Sequence, residues 1–570
     1  MSSSDLKRPP SPDPADDQTH GSRRPRSEPG ADTPPGMSVK LMPHQRLGLE
    51  WLMKREDAYS GSILADDVGL GKTIQTLALI LARPAAAKTK NKTTLLVVPL
   101  CLLDQWEKEL KDKVKPGELR AKIYHSGEAR KAVQDWRREP YDVVITTYDM
   151  LKYELLNKSR PAAAGSRARN LNLLAPDTHF HRVVLDEAQL IKGLDTKRSR
   201  AVMELRTDFR LCLTGTPIMN TVDELYPLLR FLRIERYENQ SIFDREIGVP
   251  LGRLLDTEGK SAPQVRRYGT SRIRRSINTS TKAALDTVRE LLKRIMLRRM
   301  KGDKINGQVI VDLPMRIDVY MPVKFSAAER DLYNRLENAR GGKTNNFTKR
   351  VRLRQMCLHP ELVPAELLTG PLAEAYLEGQ TESPRQIGGS LSSAKVDAAL
   401  ELLQSIWLKD KTAKIIVFSG FTAFLSKFKA LIEETKFSKT NRDFRLGQYN
   451  GKMKTQRDDA LKDFKRRDAV LLMSTQAGGM GLNIQWATHL IFMEPEYNPY
   501  MEDQAIGRAH RVGQTRTVTV YRLFVESTVE ESTVEDKIRE KQQNKRDLVR
   551  LVLGGKEALS DNDSDKVTSF

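Results

Sequence analysis

The stretch ILADDVGLGKTIQTLALIL, residues 63–81, decides the fold of the first half of this chain. Ile63, Leu64 and Ala65 form a short apolar run that reads as a buried strand. Gly69 and Gly71 punctuate a turn, Lys72 and Thr73 follow, and Leu77, Leu79, Ile80 and Leu81 continue as an apolar helix. A glycine turn that feeds a helix aims free backbone N–H groups and the positive helix end at a phosphate. In such loops the lysine reaches the terminal phosphates and the Thr73 hydroxyl holds Mg²⁺. The usual pattern begins with glycine six residues before the lysine, and here Asp66 stands in that place.

Outward from this loop, apolar runs alternate with helical patterns to about residue 235: TLLVVP (94–99), YDVVITT (141–147), RVVLDE (182–187) and RLCLTG (210–215). Continuous apolar strands separated by helices predict a parallel sheet covered on both faces. The alternation restarts after residue 395 with KIIVFSG (414–420), AVLLMST (469–475), THLIFME (488–494) and TVTVYRL (517–523). Two α/β lobes follow. The expected divisions are a disordered basic, Pro-rich tail (1–36), a first lobe (37–239), a basic helical linker or protrusion region (240–395), a second lobe with a terminal helix (396–556) and a short disordered tail (557–570). Residues 157–170 and 365–395 read as insertions, and the charged stretch 529–549 as an exposed terminal helix.

With 570 residues there is room for several cores, and the net charge of +21 points to a polyanionic partner, nucleic acid first. No apolar run approaches the roughly 20 residues that span a bilayer, so no membrane association is expected. Three cysteines, Cys101, Cys212 and Cys357, exclude a disulfide framework and fit a reducing compartment. Lys7-Arg8 and Arg23-Arg24-Pro25-Arg26 suit nuclear import, so the nucleus is the expected location.

Val183-Val184-Leu185 runs into Asp186-Glu187. An acidic pair at the end of a buried strand divides its work: Asp186 holds Mg²⁺, partly through water, and Glu187 polarises the water that attacks the γ-phosphate. Thr214 and Thr216, on the turn of LTGTP, can couple nucleotide state to contacts between the lobes. Gln45, just ahead of an amphipathic helix, offers an amide to adenine. Arg508 and Arg511 are three apart and share a helical face. If that face opposes the phosphate loop, both guanidinium groups reach the transferring phosphoryl group.

ADDVGLGKT (65–73), VVPLCLLDQW (97–106), DEAQLIKG (186–193), LTGTPIMN (213–220), MLRRMK (296–301), STQAGGMGLNI (474–484) and QAIGRAHRVGQ (504–514) resemble, in order, the motifs of SWI/SNF-type ATPases in helicase superfamily two. The resemblance spans roughly residues 40–555. It implies two RecA-like lobes with ATP and Mg²⁺ between them. Lys72, Asp186, Glu187, Arg508 and Arg511 then do the chemistry. Gln45, Asp66, Asp67, Val68, Gly69, Leu70, Gly71, Lys72, Thr73, Gly481 and Gln514 line the nucleotide, and Thr214, Thr216 and Gln504 couple the lobes. Asp at the first-glycine place is common in that family. Gly507 keeps the broader superfamily form where many members have Asp, and Glu496 and Tyr497 stand where two tryptophans are usual. LRQMCLHPEL (353–362) and SSAKVDAALELL (392–403) further resemble the branch of helicase-like transcription factor and the RING-bearing repair translocases. The intervening stretch has no Cys or His, so a RING is not expected, and Cys357 and His359 read as packing and capping residues.

The resemblance implies a DNA-dependent ATPase that moves on double-stranded DNA and displaces or remodels bound proteins, nucleosomes among them, in chromatin, repair or transcription. The rivals are a strand-separating DNA or RNA helicase and a catalytically idle DNA-binding scaffold. Intact Lys72, Asp186, Glu187, Arg508 and Arg511 argue against the scaffold.

Overall fold

A computed structural model describes residues 33–554 except 87–88, 90–91, 126–140, 159–172, 253–278, 339–345, 369–374, 377–385, 388–389, 436–444, 450–456, 467–469, 479–481 and 528–531. Residues 1–32 of the N-terminal tail, the C-terminal tail, most of the 157–170 insertion, the basic run at 265–275 and Gly481 lie outside the described residues.

The first lobe is a seven-stranded, wholly parallel sheet in the order β3-β4-β2-β5-β6-β1-β7. Its strands are β1 (Gly61–Leu64), β2 (Thr94–Val98), β3 (Ala121–Tyr124), β4 (Val143–Thr147), β5 (Phe180–Asp186), β6 (Thr207–Leu213) and β7 (Met296–Leu297). Alternate residues of β2 face opposite cores, Leu95 and Val97 one way and Leu96 and Val98 the other. That two-sided burial is why the strands read as unbroken apolar runs. Helices α1 (Pro43–Ala58), α2 (Lys72–Ala82) and α3 (Leu103–Lys113) cover one face through Leu52, Leu77 and Trp106.

The second lobe is a six-stranded parallel sheet. Outside that sheet β8 (Lys304–Ile305) and β9 (Gln308–Val309) form a hairpin, and β11 (Gln386–Ile387) and β12 (Ser390–Leu391) form another. The sheet itself comprises β10 (Arg316–Val323), β13 (Ile415–Ser419), β14 (Leu446–Tyr449), β15 (Val470–Ser474), β16 (His489–Phe492) and β17 (Val518–Val525), in the order β10-β17-β16-β13-β15-β14. Both lobes are thus α/β with parallel sheets, as expected.

The boundaries differ from the expected ones. Both β7 and β10 lie inside the stretch read as linker, yet they complete the edges of the two sheets. The helix Thr279–Ile295 sends Ala284, Leu285, Val288 and Leu292 into the first lobe's core. A two-residue strand such as β7 has too few positions to show a pattern, and the basic surface of its neighbours hides it. At the N-terminus, order begins before residue 37. Met37 is buried in the first lobe, and Gly36 O accepts from Lys115 N at 2.8 Å.

The terminal helix, Val534–Leu553, is not an exposed rod. Val534 and Ile538 pack with Leu332 and Tyr333 beside the second lobe, while Leu548, Val549, Leu551 and Val552 enter the first lobe's core. Arg289 Nη2 donates to Leu551 O at 2.6 Å, and Lys545 Nζ donates to Tyr497 O at 2.7 Å. The helix is a strut between two cores. Its apolar residues are sparse because each end serves a different one. His359 caps a short turn by accepting from Glu361 N at 3.2 Å, and Cys357 is buried.

Two outcomes follow from this packing. Leu548 is fully buried, so Leu548→Ala should cost about 2–5 kcal/mol in denaturant unfolding, where an exposed helix position would be nearly neutral. Glu494, at the end of β16, is buried, and burial pushes its carboxyl up to about 7. One oxygen accepts from Ser419 Oγ and Gly420 N, and the other has no partner among the described residues. Because the folded chain keeps this proton where the unfolded chain has lost it, stability should fall as pH rises from about 4.5 towards 7. Glu494→Gln should shrink that fall by on the order of 1–3 kcal/mol. Identical pH profiles for wild type and variant would refute the assignment.

Candidate nucleotide site between the lobes

The loop Ala65–Gly71 joins β1 to α2. Gly69 and Gly71 have φ of 97° and 85°, a left-handed conformation that side chains resist. A β-carbon on Gly71 would lie 2.5 Å from Gln45 Nε2. Lys72 Nζ donates to Asp66 O at 2.7 Å, so its ammonium rests on the loop's own carbonyl. Thr73 is the second residue of α2.

Asp66, in the place of the first glycine, points away from the loop's mouth. It is fully buried and forms an ion pair with both Nε and Nη2 of Arg299, while Gln75 Nε2 donates to it at 3.0 Å. Arg299 also donates to Gln75 Oε1 at 2.8 Å and to the His44 carbonyl. Asp67 accepts from Val68 N at 2.8 Å. Gln45 accepts from Met42 N at 3.0 Å and donates to Leu70 O at 3.3 Å, so its amide ties the start of α1 to the loop.

At the end of β5, Asp186 accepts from Trp106 Nε1 at 2.7 Å and from Glu187 N at 2.9 Å. Burial, then the neighbouring Glu187 charge, pushes the Asp186 carboxyl up to about 6, while Trp106 and Lys72 pull it down. Such a pair suits a cation, which would relieve both causes. Glu187 sits at φ 49°, a strained backbone for a non-glycine residue. From it a chain of hydrogen bonds runs outward. Gln189 Nε2 donates to Glu187 at 2.6 Å, Thr214 Oγ1 donates to Gln189 Oε1 at 2.7 Å, and Thr216 N donates to Thr214 Oγ1 at 3.0 Å. The LTGTP turn is therefore wired to the acidic pair.

The second lobe closes over this surface. Arg508, near the end of the helix Pro499–Ala509, brings Nη2 to 3.8 Å from Glu187 Oε1. The Arg511 β-carbon lies 3.2 Å from where one on Gly69 would stand. Gly507 meets Val68, with 3.0 Å from its ideal β-carbon to the Val68 β-carbon. Lys72, Asp186, Glu187, Arg508, Arg511 and the loop residues are thus gathered in one cleft. Gln504 is buried on the Arg508 helix. Gln514 is turned inward: it donates to Ala487 O at 2.9 Å and accepts from Thr515 N and Arg516 N, which holds its amide within the second lobe.

Sequence reasoning missed several partners. Trp106 fixes Asp186, Arg299 fixes Asp66, and Gln189 links Glu187 to Thr214. Lys301 Nζ donates to His510 O at 2.6 Å, its Cε lying 3.7 Å from the β-carbon site of Gly69. Burial lowers its ammonium below the ordinary lysine value, helped by Arg316, Arg511 and Lys72. Arg299 and Lys301 both belong to MLRRMK. A run of cations directly after a strand at a site of buried acids was the available signal. Arg299→Ala should destabilise the chain by about 3–5 kcal/mol, because it leaves Asp66 charged and buried. Arg299→Lys should recover only part of that, since one ammonium cannot meet Asp66, Gln75 and the His44 carbonyl together. Chemical unfolding of both variants is the check, and a loss below about 1 kcal/mol for Arg299→Ala would contradict the pairing.

The SNF2-related domain family matches residues 44–362, and the helicase conserved C-terminal domain matches residues 394–513. An uncharacterized ATP-dependent helicase of Schizosaccharomyces pombe is 28% identical over 92% of this chain and 61% of its own length. The probable global transactivator of Orgyia pseudotsugata multicapsid polyhedrosis virus is 30% identical over 92% of this chain and 94% of its own. The DNA repair protein RAD5B of Arabidopsis thaliana is 27% identical over 83% of this chain and 44% of its own. The chain thus spans 61% of the fission-yeast relative and 44% of the plant one. The first match runs from the helix ahead of the phosphate loop past β10, and the second covers the arginine helix that closes the cleft. The chain belongs to the SNF2-related family.

Proposed function

We propose that the chain is a DNA-dependent ATPase that translocates on double-stranded DNA and displaces or remodels proteins bound to it. The observation that carries this reading is the meeting of Arg508 and Arg511 with the loop of Lys72 and with Glu187 across two lobes. Relatives named as ATP-dependent helicase and DNA repair protein support it.

In this reading Lys72 leaves the Asp66 carbonyl for the terminal phosphates of ATP, and the backbone N–H groups of Gly69 to Thr73 cradle the rest. Thr73 and Asp186 hold Mg²⁺, which supplies charge neutralisation at the phosphates. Glu187 orients and polarises the attacking water. Arg508 and Arg511 stabilise the charge on the transferring group, and they reach it only while the lobes are closed. The Glu187–Gln189–Thr214 chain then passes the state of the acidic pair to the LTGTP turn and to the lobe interface. Lysines and arginines of both lobes grip the backbone phosphates, so affinity falls steeply with salt. The setting is the nucleus, with nucleosomes among the substrates.

Lys72→Ala should abolish turnover and leave DNA binding largely intact, whereas Glu187→Gln should bind ATP and fail to hydrolyse it. Arg511→Ala should keep the nucleotide Kd and lower DNA-stimulated kcat by about 10³-fold or more, with poor rescue by Lys. The decisive comparison is ATPase activity with duplex DNA, single-stranded DNA, RNA and nucleosomes side by side. Stimulation by duplex DNA above RNA is expected. Equal stimulation by RNA, or strand separation of a bare duplex, would favour the helicase rival, and near-normal kcat in Arg511→Ala would overturn the two-lobe site.

A further inference from the structure

At the opposite end of the first sheet from Asp186 lies a second concavity, with a volume of about 550 Å³. Four cations, Lys158, Arg206, Arg210 and Arg233, line it against one carboxylate, Glu204. Lys158 is paired with Glu204 at 2.6 Å, and Arg206 donates to the Pro176 carbonyl. Arg210 and Arg233 have no hydrogen-bonding or carboxylate partner for their guanidinium groups among the described residues. The nearby Asp208 lies against His179 and His181, at 3.5 and 3.9 Å.

Two features set this apart from an ordinary basic surface. Burial, then the Arg233 charge, presses the Arg210 guanidinium down to about 10, and the Asp208 charge offsets this only in part. A half-buried cation held beside another, with no carboxylate in direct contact among the described residues, is a standing cost to the fold. Arg233 also has φ 56°, directly after the helix Leu225–Phe231 and its cap Leu232, with Ile234 N closing onto Leu229 O at 3.2 Å. Glycine fills that left-handed place by default. An arginine there adds backbone strain as well as repulsion, which is the mark of a site kept for binding.

We propose that this pocket binds a phosphate-class dianion, clasped between Arg210 and Arg233. Two planar guanidinium forks match the oxygens of such a group, and a double negative charge answers the excess of cations. The pocket is larger than one phosphate needs, so the group can be carried on a small ester or on a nucleic-acid strand.

The test is thermal unfolding with increasing inorganic phosphate at fixed ionic strength, with saturating Mg²⁺ and ADP to occupy the cleft between the lobes. Wild-type Tm should climb with phosphate. Arg233→Gly should raise Tm in phosphate-free chloride by roughly 1–2 °C, through relief of strain and repulsion, and should lose most of the phosphate-dependent rise. Arg210→Gln should lose that rise too. Both variants should keep DNA-stimulated turnover, which shows that they fold. A lower Tm for Arg233→Gly in chloride, or an undiminished phosphate response in both variants, would overturn the site. Duplex affinity separates the sources: a several-fold loss in Arg210→Gln assigns the phosphate to a DNA strand, and unchanged affinity beside the lost phosphate response assigns it to a free ester.

Discussion

A carboxylate as fully buried as Asp66 is tolerable only with a positive partner, and Arg299 supplies one while also tying down Gln75 and the His44 carbonyl. This contact fixes the phosphate loop from behind, so that its glycines can hold left-handed angles without the turn collapsing. Two residues beyond Arg299, Lys301 reaches the carbonyl of His510 in the second lobe. The same short segment therefore anchors the loop and meets the helix that carries Arg508. Position of the loop and approach of the arginines are consequences of one buried ion pair and the strand that brings it there.

Around this anchor the cleft is electrostatically unfinished. Lys72 and Arg508 face the acidic pair, and Lys301 and Arg511 stand beside these two cations. Arg511 is held below the ordinary arginine value, first by burial and then by Arg508, while Asp186 is raised by burial and by Glu187. Like charges of both signs have been brought together, cations on one side and carboxylates on the other. A polyphosphate with its metal ion is the ligand whose alternating charges would satisfy both at once.

What could be read from the chain was what is local. Gly69, Gly71 and Lys72 declare a phosphate loop because turn chemistry and helix-end geometry are settled within ten residues, and the apolar runs of β2, β4, β13 and β15 declare buried parallel strands. Asp186 and Glu187 were legible as an acidic strand end. The partners that set their behaviour were not. Trp106 is 80 residues from Asp186, and Arg299 is 233 from Asp66. No period or spacing encodes such pairings. The terminal helix was misread for a related reason: its buried residues belong to two cores, so no single apolar stripe runs along it. Gln514 sits within a recognisable motif, yet only the fold shows its amide committed to Ala487, Thr515 and Arg516.

That strut also bears on how the protein is made. Arg289 and Leu551, joined by hydrogen bonds, are 262 residues apart in sequence. During synthesis the first lobe can form its sheet once β7 has emerged, but the pocket for Leu548, Leu551 and Val552 stays open until the end of the second lobe has been translated. For that interval an apolar surface is bare to the cytosol, and closing it requires a long loop of chain to return. A helix translated after the whole sheet of the second lobe is therefore the one that seals the core of the first.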